Sequence, residues 1–169
     1  MTSTHDKIAS ALETTFAQRG FAEPSVNQLR DAAGVSLRTL YKYMPSRRDM
    51  VLAALESRHE RYMAHIFTEE LPSGNAALSA ILTRVVSWMQ REAGTGCLFH
   101  AAVLAMPDDR QIHERLVSHK DEFTDRAVRQ AGVQKKRSQF LIISEGLTQT
   151  WPVLGNDALK SAKTLASRL

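Results

Sequence analysis

The densest set of chemically able side chains is Ser36, Arg38, Thr39, Tyr41, Lys42 and Tyr43. Hydroxyls and cations of this kind bind phosphate oxygens and reach base edges. On a helix they would stand on the side not used by Leu37 and Leu40, which would seat it. A short amphipathic helix with Tyr and Lys is by itself an ordinary surface helix, so the elements around it must decide. A second set is Cys97 and His100, three positions apart, where a thiol and an imidazole could share a helix face as nucleophile and base. Their neighbours Leu98, Phe99, Ala101 and Ala102 point instead to an apolar setting in which cysteine is a small hydrophobe. His100 could also line an effector pocket with Trp88, Cys97, Phe123 and Trp151, orienting a ligand's polar group. His59 and His65, like His113 and His119, are six apart and leave a shared helix face, so no metal site is expected. Nothing in the chain calls for a cofactor.

Helical spacing dominates and strand-like alternation is nearly absent, which predicts an all-α fold of about nine helices. Ile8, Ala11, Leu12, Thr15 and Phe16 mark one helix ahead of Gly20. Ser25 to Gln28 reads as a capping box opening a helix that stops at Gly34. Ser36 can cap the next, which must end by Met44 because Pro45 follows. Two short capped helices across a glycine turn are the organisation of a helix-turn-helix. Ser46 to Asp49 is a further capping box for a long helix through Val51, Leu55, Tyr62 and Ile66. Beyond Pro72-Ser73-Gly74-Asn75, apolar spacing predicts a helix from Leu78 to Met89 ending at Gly94-Thr-Gly96. It then predicts a short one from Cys97 to Met106, one from Ile112 to Ala127, one from Phe140 to about Trp151, and a last one capped near Asn156 or Asp157. The domain boundary is placed at Pro45-Ser46, giving 1–45 and 46–169.

The 169 residues carry 22 Lys and Arg against 18 Asp and Glu, with 43% hydrophobic and 24% charged residues, an ordinary globular balance. Residues 36–48 hold four cations and no acid, and residues 126–137 hold five and no acid, so the rest of the chain is net negative. Two basic islands suggest a surface for a polyanion. The caps and glycines select the first; Arg126 to Arg137 reads as a solvated helix end and loop. A single cysteine, Cys97, excludes an internal disulfide. No apolar run approaches the length of a membrane span, and Met1 to Lys7 holds no apolar stretch, so a cytoplasmic protein is expected.

The stretch Gly34-Val-Ser-Leu-Arg-Thr-Leu-Tyr41-Lys-Tyr43-Met-Pro-Ser-Arg47-Arg-Asp49-Met resembles the helix-turn-helix signature of the tetracycline-repressor (TetR) family. Phe16, Gly20, Phe21, Val26, Leu29, Ala32 and Ala33 fit the same pattern, so the match spans about residues 6–56. The resemblance implies that Ser36, Arg38 and Thr39 approach bases and phosphates, that Tyr41 and Lys42 clamp the backbone, and that Tyr43 lies beside the groove. It implies further that Ser25 and Gln28 touch the flanking backbone, and that Arg47, where the family usually has Lys, meets a phosphate. Met44 stands where the family favours Phe, and Arg48 where an acid is common.

The resulting expectation is a homodimeric, ligand-responsive transcriptional regulator, a repressor released from double-stranded operator DNA by a small-molecule effector. The last two helices carry more apolar area than one small monomer hides, so Phe140, Ile143, Leu147, Leu159, Ala162 and Leu165 are assigned to the dimer interface. If all four cations from Arg38 to Arg48 met phosphates in both subunits, the salt slope of binding would be about −7. Two other readings remain: a helical protein-interaction module without DNA binding, and a small enzyme using Cys97 and His100.

Overall fold

Helix starts in the amino-terminal part are set by side-chain caps. Ser3 and Asp6 form a reciprocal capping box, as do Ser25 and Gln28. Ser36 Oγ accepts from the Thr39 N–H at 3.0 Å. Ser46 and Asp49 exchange the same pair of bonds at the next start. Each cap satisfies N–H groups that the first helical turn cannot.

The computed structural model describes residues 3–92 and 96–169, and of Asn75 the backbone alone. Among the described residues there are nine α-helices and no strand. They are α1 (Thr4–Arg19), α2 (Val26–Ala33), α3 (Leu37–Tyr43), α4 (Arg47–Ile66), α5 (Asn75–Glu92), α6 (Leu98–Ala105), α7 (Arg110–Ala131), α8 (Arg137–Leu154) and α9 (Asn156–Ala166). The expected helix end at Gly94-Thr95 lies outside the described residues. No helix among those described is long and apolar enough to cross a membrane.

The chain divides into two compact units, residues 1–61 with 98–116, and 62–97 with 117–169. In the first, Ile8, Leu12, Phe16, Leu29, Leu40, Met50 and Leu55 on α1 to α4 are buried, as are Phe21 and Met44 in the connections after α1 and α3. Phe16 stacks on Phe21 at 4.8 Å between ring centroids. Gly34 takes the left-handed conformation at φ 64° that ends α2 and lets α3 leave at once. Met44, standing in for an aromatic residue, is 1% exposed and serves as an ordinary core side chain. Beneath the helix-turn-helix, fully buried Glu13 accepts from Arg58 at 3.1 Å, from Arg61 at 2.7 Å and from Ser57 at 3.2 Å, tying α1 to α4.

In the second unit α5, α8 and α9 pack on one another around Ile81, Leu82, Val85, Phe140, Leu147, Ala158 and Ala162. Tyr62 gathers Trp88, His119 and Phe123 at 5.3 to 5.5 Å. Desolvation holds His65 below its ordinary pKa, and the neighbouring arginines Arg91 and Arg84 add to it. Two ends differ from the sequence reading. α8 starts three residues earlier than Phe140 and runs on through Pro152 to Leu154, the proline falling in the last turn where only one bond is forfeited. α9 follows Gly155 directly with no side-chain cap, because φ 52° at that glycine makes the corner.

Candidate nucleic-acid interface

α3 is seven residues long and seated by one side chain. Leu40 is fully buried, whereas Leu37, expected to share that task, is 39% exposed. Leu37 is the first residue of α3, close behind the Gly34 corner, and lies at the margin of the contact that Leu40 makes. The remaining positions face outward: Arg38, Tyr41, Lys42 and Tyr43 are exposed, Thr39 is half-buried and Ser36 exposed. Tyr41 and Tyr43 are 42% and 36% exposed, which is unusual for large rings with no sheltering neighbour. Neither Arg38 nor Lys42 has a carboxylate partner among the described residues; Lys42 Nζ lies 5.6 Å from the Tyr43 ring centre. Ser36 Oγ and Thr39 Oγ1 are 2.8 Å apart and share a proton, so one hydroxyl of the pair still has a free lone pair or donor for an outside group.

Three residues assigned to DNA have structural duties. Ser25 and Gln28 are exposed, but each caps the other across the first turn of α2. Arg47 is the third. Its guanidinium donates to the carbonyls of Phe21 at 2.6 Å and Pro24 at 2.7 Å and lies over the Phe16 ring. Half-buried, with two of its five N–H donors on the loop between α1 and α2, it acts as a staple there whatever else it meets. The signal was in the sequence: Arg in place of Lys supplies the planar pair of donors that two carbonyls need. Arg48 donates to Asp109, and this hydrogen bond holds the Asp109 carboxyl below its ordinary range. Of the four cations in residues 36–48, Arg38 and Lys42 are the two without such duties.

The effector and dimer assignments fare unevenly. Trp88 and Phe123 are buried around Tyr62, and Trp151 is half-buried against the core of the second unit. Cys97 Sγ accepts from Lys120 Nζ at 3.7 Å, and Lys120 also donates to Glu145 at 2.7 Å. His100, on α6, belongs to the first unit. A cleft between α1 and α2 is lined by Thr14, Gln18, Gln28 and Asp31, and another by Met63, Glu122, Asp125, Arg126 and Arg129; neither includes any of the five pocket candidates. Of the six interface residues, Phe140, Leu147 and Ala162 are buried in the chain's own core and cannot also meet a partner. Helical spacing marks an apolar face without saying what it packs on. Ile143 and Leu159 pack partly against that core, and Leu165 is 52% exposed. Ile142 and Leu154, which the sequence also counts in the apolar area of the last two helices, and Val153 are exposed at 71%, 52% and 82%.

The family model described as bacterial regulatory proteins, tetR family, matches residues 8–54, the segment from α1 into α4 that holds this helix-turn-helix. That match makes residues 8–54 a TetR-type helix-turn-helix domain. Solved structures share its fold over nearly the whole length. A TetR-family transcriptional regulator from Streptomyces coelicolor is 16% identical with a TM-score of 0.81, covering 98% of this chain and 93% of its own. A putative TetR-family regulator from Rhodococcus sp. is 20% identical with a TM-score of 0.75, covering 99% and 98%. The reduced form of Escherichia coli NemR is 15% identical with a TM-score of 0.75, covering 96% and 95%. No curated protein sequence matches this chain.

Proposed function

We propose that this chain is a homodimeric TetR-family repressor that holds double-stranded operator DNA with α3 of each subunit and releases it on binding a small-molecule effector. The observation that carries the DNA half is the exposed set Arg38, Tyr41 and Lys42 on a helix whose own seat, Leu40, is fully buried. Residues 1–45 would form the DNA-binding domain and 46–169 the regulatory one, with Ser36 and Thr39 at the base-proximal end of α3 and Tyr43 beside the groove. Ser25 and Gln28 offer the flanking backbone what their caps leave free.

For the dimer, the support is the exposed apolar surface on α8 and α9, with Ile142, Val153, Leu154 and Leu165 at its centre and Ile143 and Leu159 beneath. A two-fold pairing of these helices gives two recognition helices for successive major grooves. The effector would be held in the second unit near Trp88, Cys97 and Trp151. A differential affinity of a few kcal/mol between two subunit arrangements is enough to empty the operator. On this reading the chain is a binding protein without a catalytic centre and works in the cytoplasm, where the DNA is.

Gel-shift titration on a duplex selected by the full chain tests it. Tyr41→Ala and Lys42→Ala weaken binding while size-exclusion chromatography still shows a dimer. Unchanged affinity in both variants removes the DNA assignment.

A further inference from the structure

Leu37 is the first residue of α3 and has no place in the core, since Leu40 takes the seat and leaves it 39% exposed. A single exposed leucine is common. Here the pattern is not scattered: within residues 3–61 the large apolar side chains that are exposed are Leu37, Tyr41 and Tyr43, and all three stand on α3. Leu37 and Tyr41 are one helical turn apart and share a face, and Arg38 and Lys42 form the adjacent row at the same spacing. An apolar row therefore runs beside a cationic row on the helix assigned to the major groove.

The first residues of a recognition helix approach base edges, and their side chains lean toward the helix start. Base edges in the major groove present donors and acceptors, apart from the thymine 5-methyl group, which is apolar. Leucine can neither give nor take a hydrogen bond. Against an acceptor such as guanine O6 it would strip water and return nothing. Against a methyl group it removes apolar surface from water on both sides. Resting on the DNA reading above, we propose that Leu37 contacts a thymine 5-methyl group in each operator half-site and thereby specifies one base pair that the hydrogen-bonding residues of α3 do not.

The test isolates one methyl group. The full chain selects a duplex from a random-sequence pool, and each thymine of that duplex is replaced in turn by deoxyuridine, which lacks the methyl group and keeps every hydrogen-bonding edge. Binding by the unsubstituted chain is expected to weaken about fourfold at one position in a half-site, and about fifteenfold when both half-sites are changed. Leu37→Ala binds the thymine and uracil forms of that position alike, with its melting temperature unchanged, and Leu37→Met keeps the discrimination. The proposal is overturned if no thymine shows the loss, or if Leu37→Ala retains it. Failure of the pool to yield any preferred duplex would remove the DNA reading itself, and this inference with it.

Discussion

The two basic islands, residues 36–48 and 126–137, differ little in charge and greatly in what surrounds the charge. In the first, Arg47 and Arg48 are absorbed by loop carbonyls and by Asp109, and Arg38 and Lys42 stand free among hydroxyls and tyrosines. In the second, Arg137 is clamped by Asp121 and Asp125, and Arg126 lies 4.5 Å over the Phe67 ring. Arg129 lines a cleft with Glu122 and Asp125, so its field is met by carboxylates before it reaches any partner. A count of cations makes the second island the stronger polyanion site. Pairing removes that lead: Arg137 is neutralised by two carboxylates, which leaves Lys135 and Lys136, on a 3-10 turn (Gln134–Lys136) with no tyrosine beside them, against Arg38 and Lys42 on α3.

The extreme case of a cation held by the fold is the pair Arg58 and Arg61 on buried Glu13. Glu13→Gln leaves Arg58 buried without its charge partner and should cost about 3–5 kcal/mol of stability in denaturant unfolding. Arg38→Ala removes a free cation and should cost about 1–3 kcal/mol of operator affinity per half-site with stability unchanged. Arg47→Ala, a staple, should do the opposite, losing about 1–2 kcal/mol of stability and leaving the salt slope of binding alone. A change in slope would make Arg47 a phosphate contact after all. The smallest effect is at Asp109. Its carboxyl is held low by Arg48, so the stability it contributes is present above the ordinary carboxylate range and fades as pH falls through the lowered value. Asp109→Asn should therefore narrow the melting-temperature difference between neutral and acidic solution, and equal pH dependence would show the pair to be idle.

Much of the amino-terminal domain was legible because its signals are local. Ser25, Ser36 and Ser46 act on N–H groups three residues away, and Gly34 and Pro45 constrain their own or the preceding backbone. What was not legible depends on partners distant in the chain. Arg47 finds carbonyls 23 and 26 residues earlier, and Arg48 an acid 61 residues later, so spacing left both as free cations. Periodicity identified the apolar stripes of α8 and α9 but could not tell Phe140 and Leu147, which fill the core, from Ile142 and Val153, which are exposed. Clefts were the least legible, since each is made by side chains distant in the chain and leaves no spacing behind.

The central claim is that Arg38 and Lys42, and not the larger island, meet the DNA backbone. The salt dependence of affinity for one selected duplex tests it directly. Two free cations in each of two subunits predict a slope of about −4, falling to about −2 in Lys42→Ala and staying near the unsubstituted value when Lys135→Ala and Lys136→Ala are combined. A slope that ignores Lys42→Ala and collapses in the Lys135 and Lys136 variant would contradict the account.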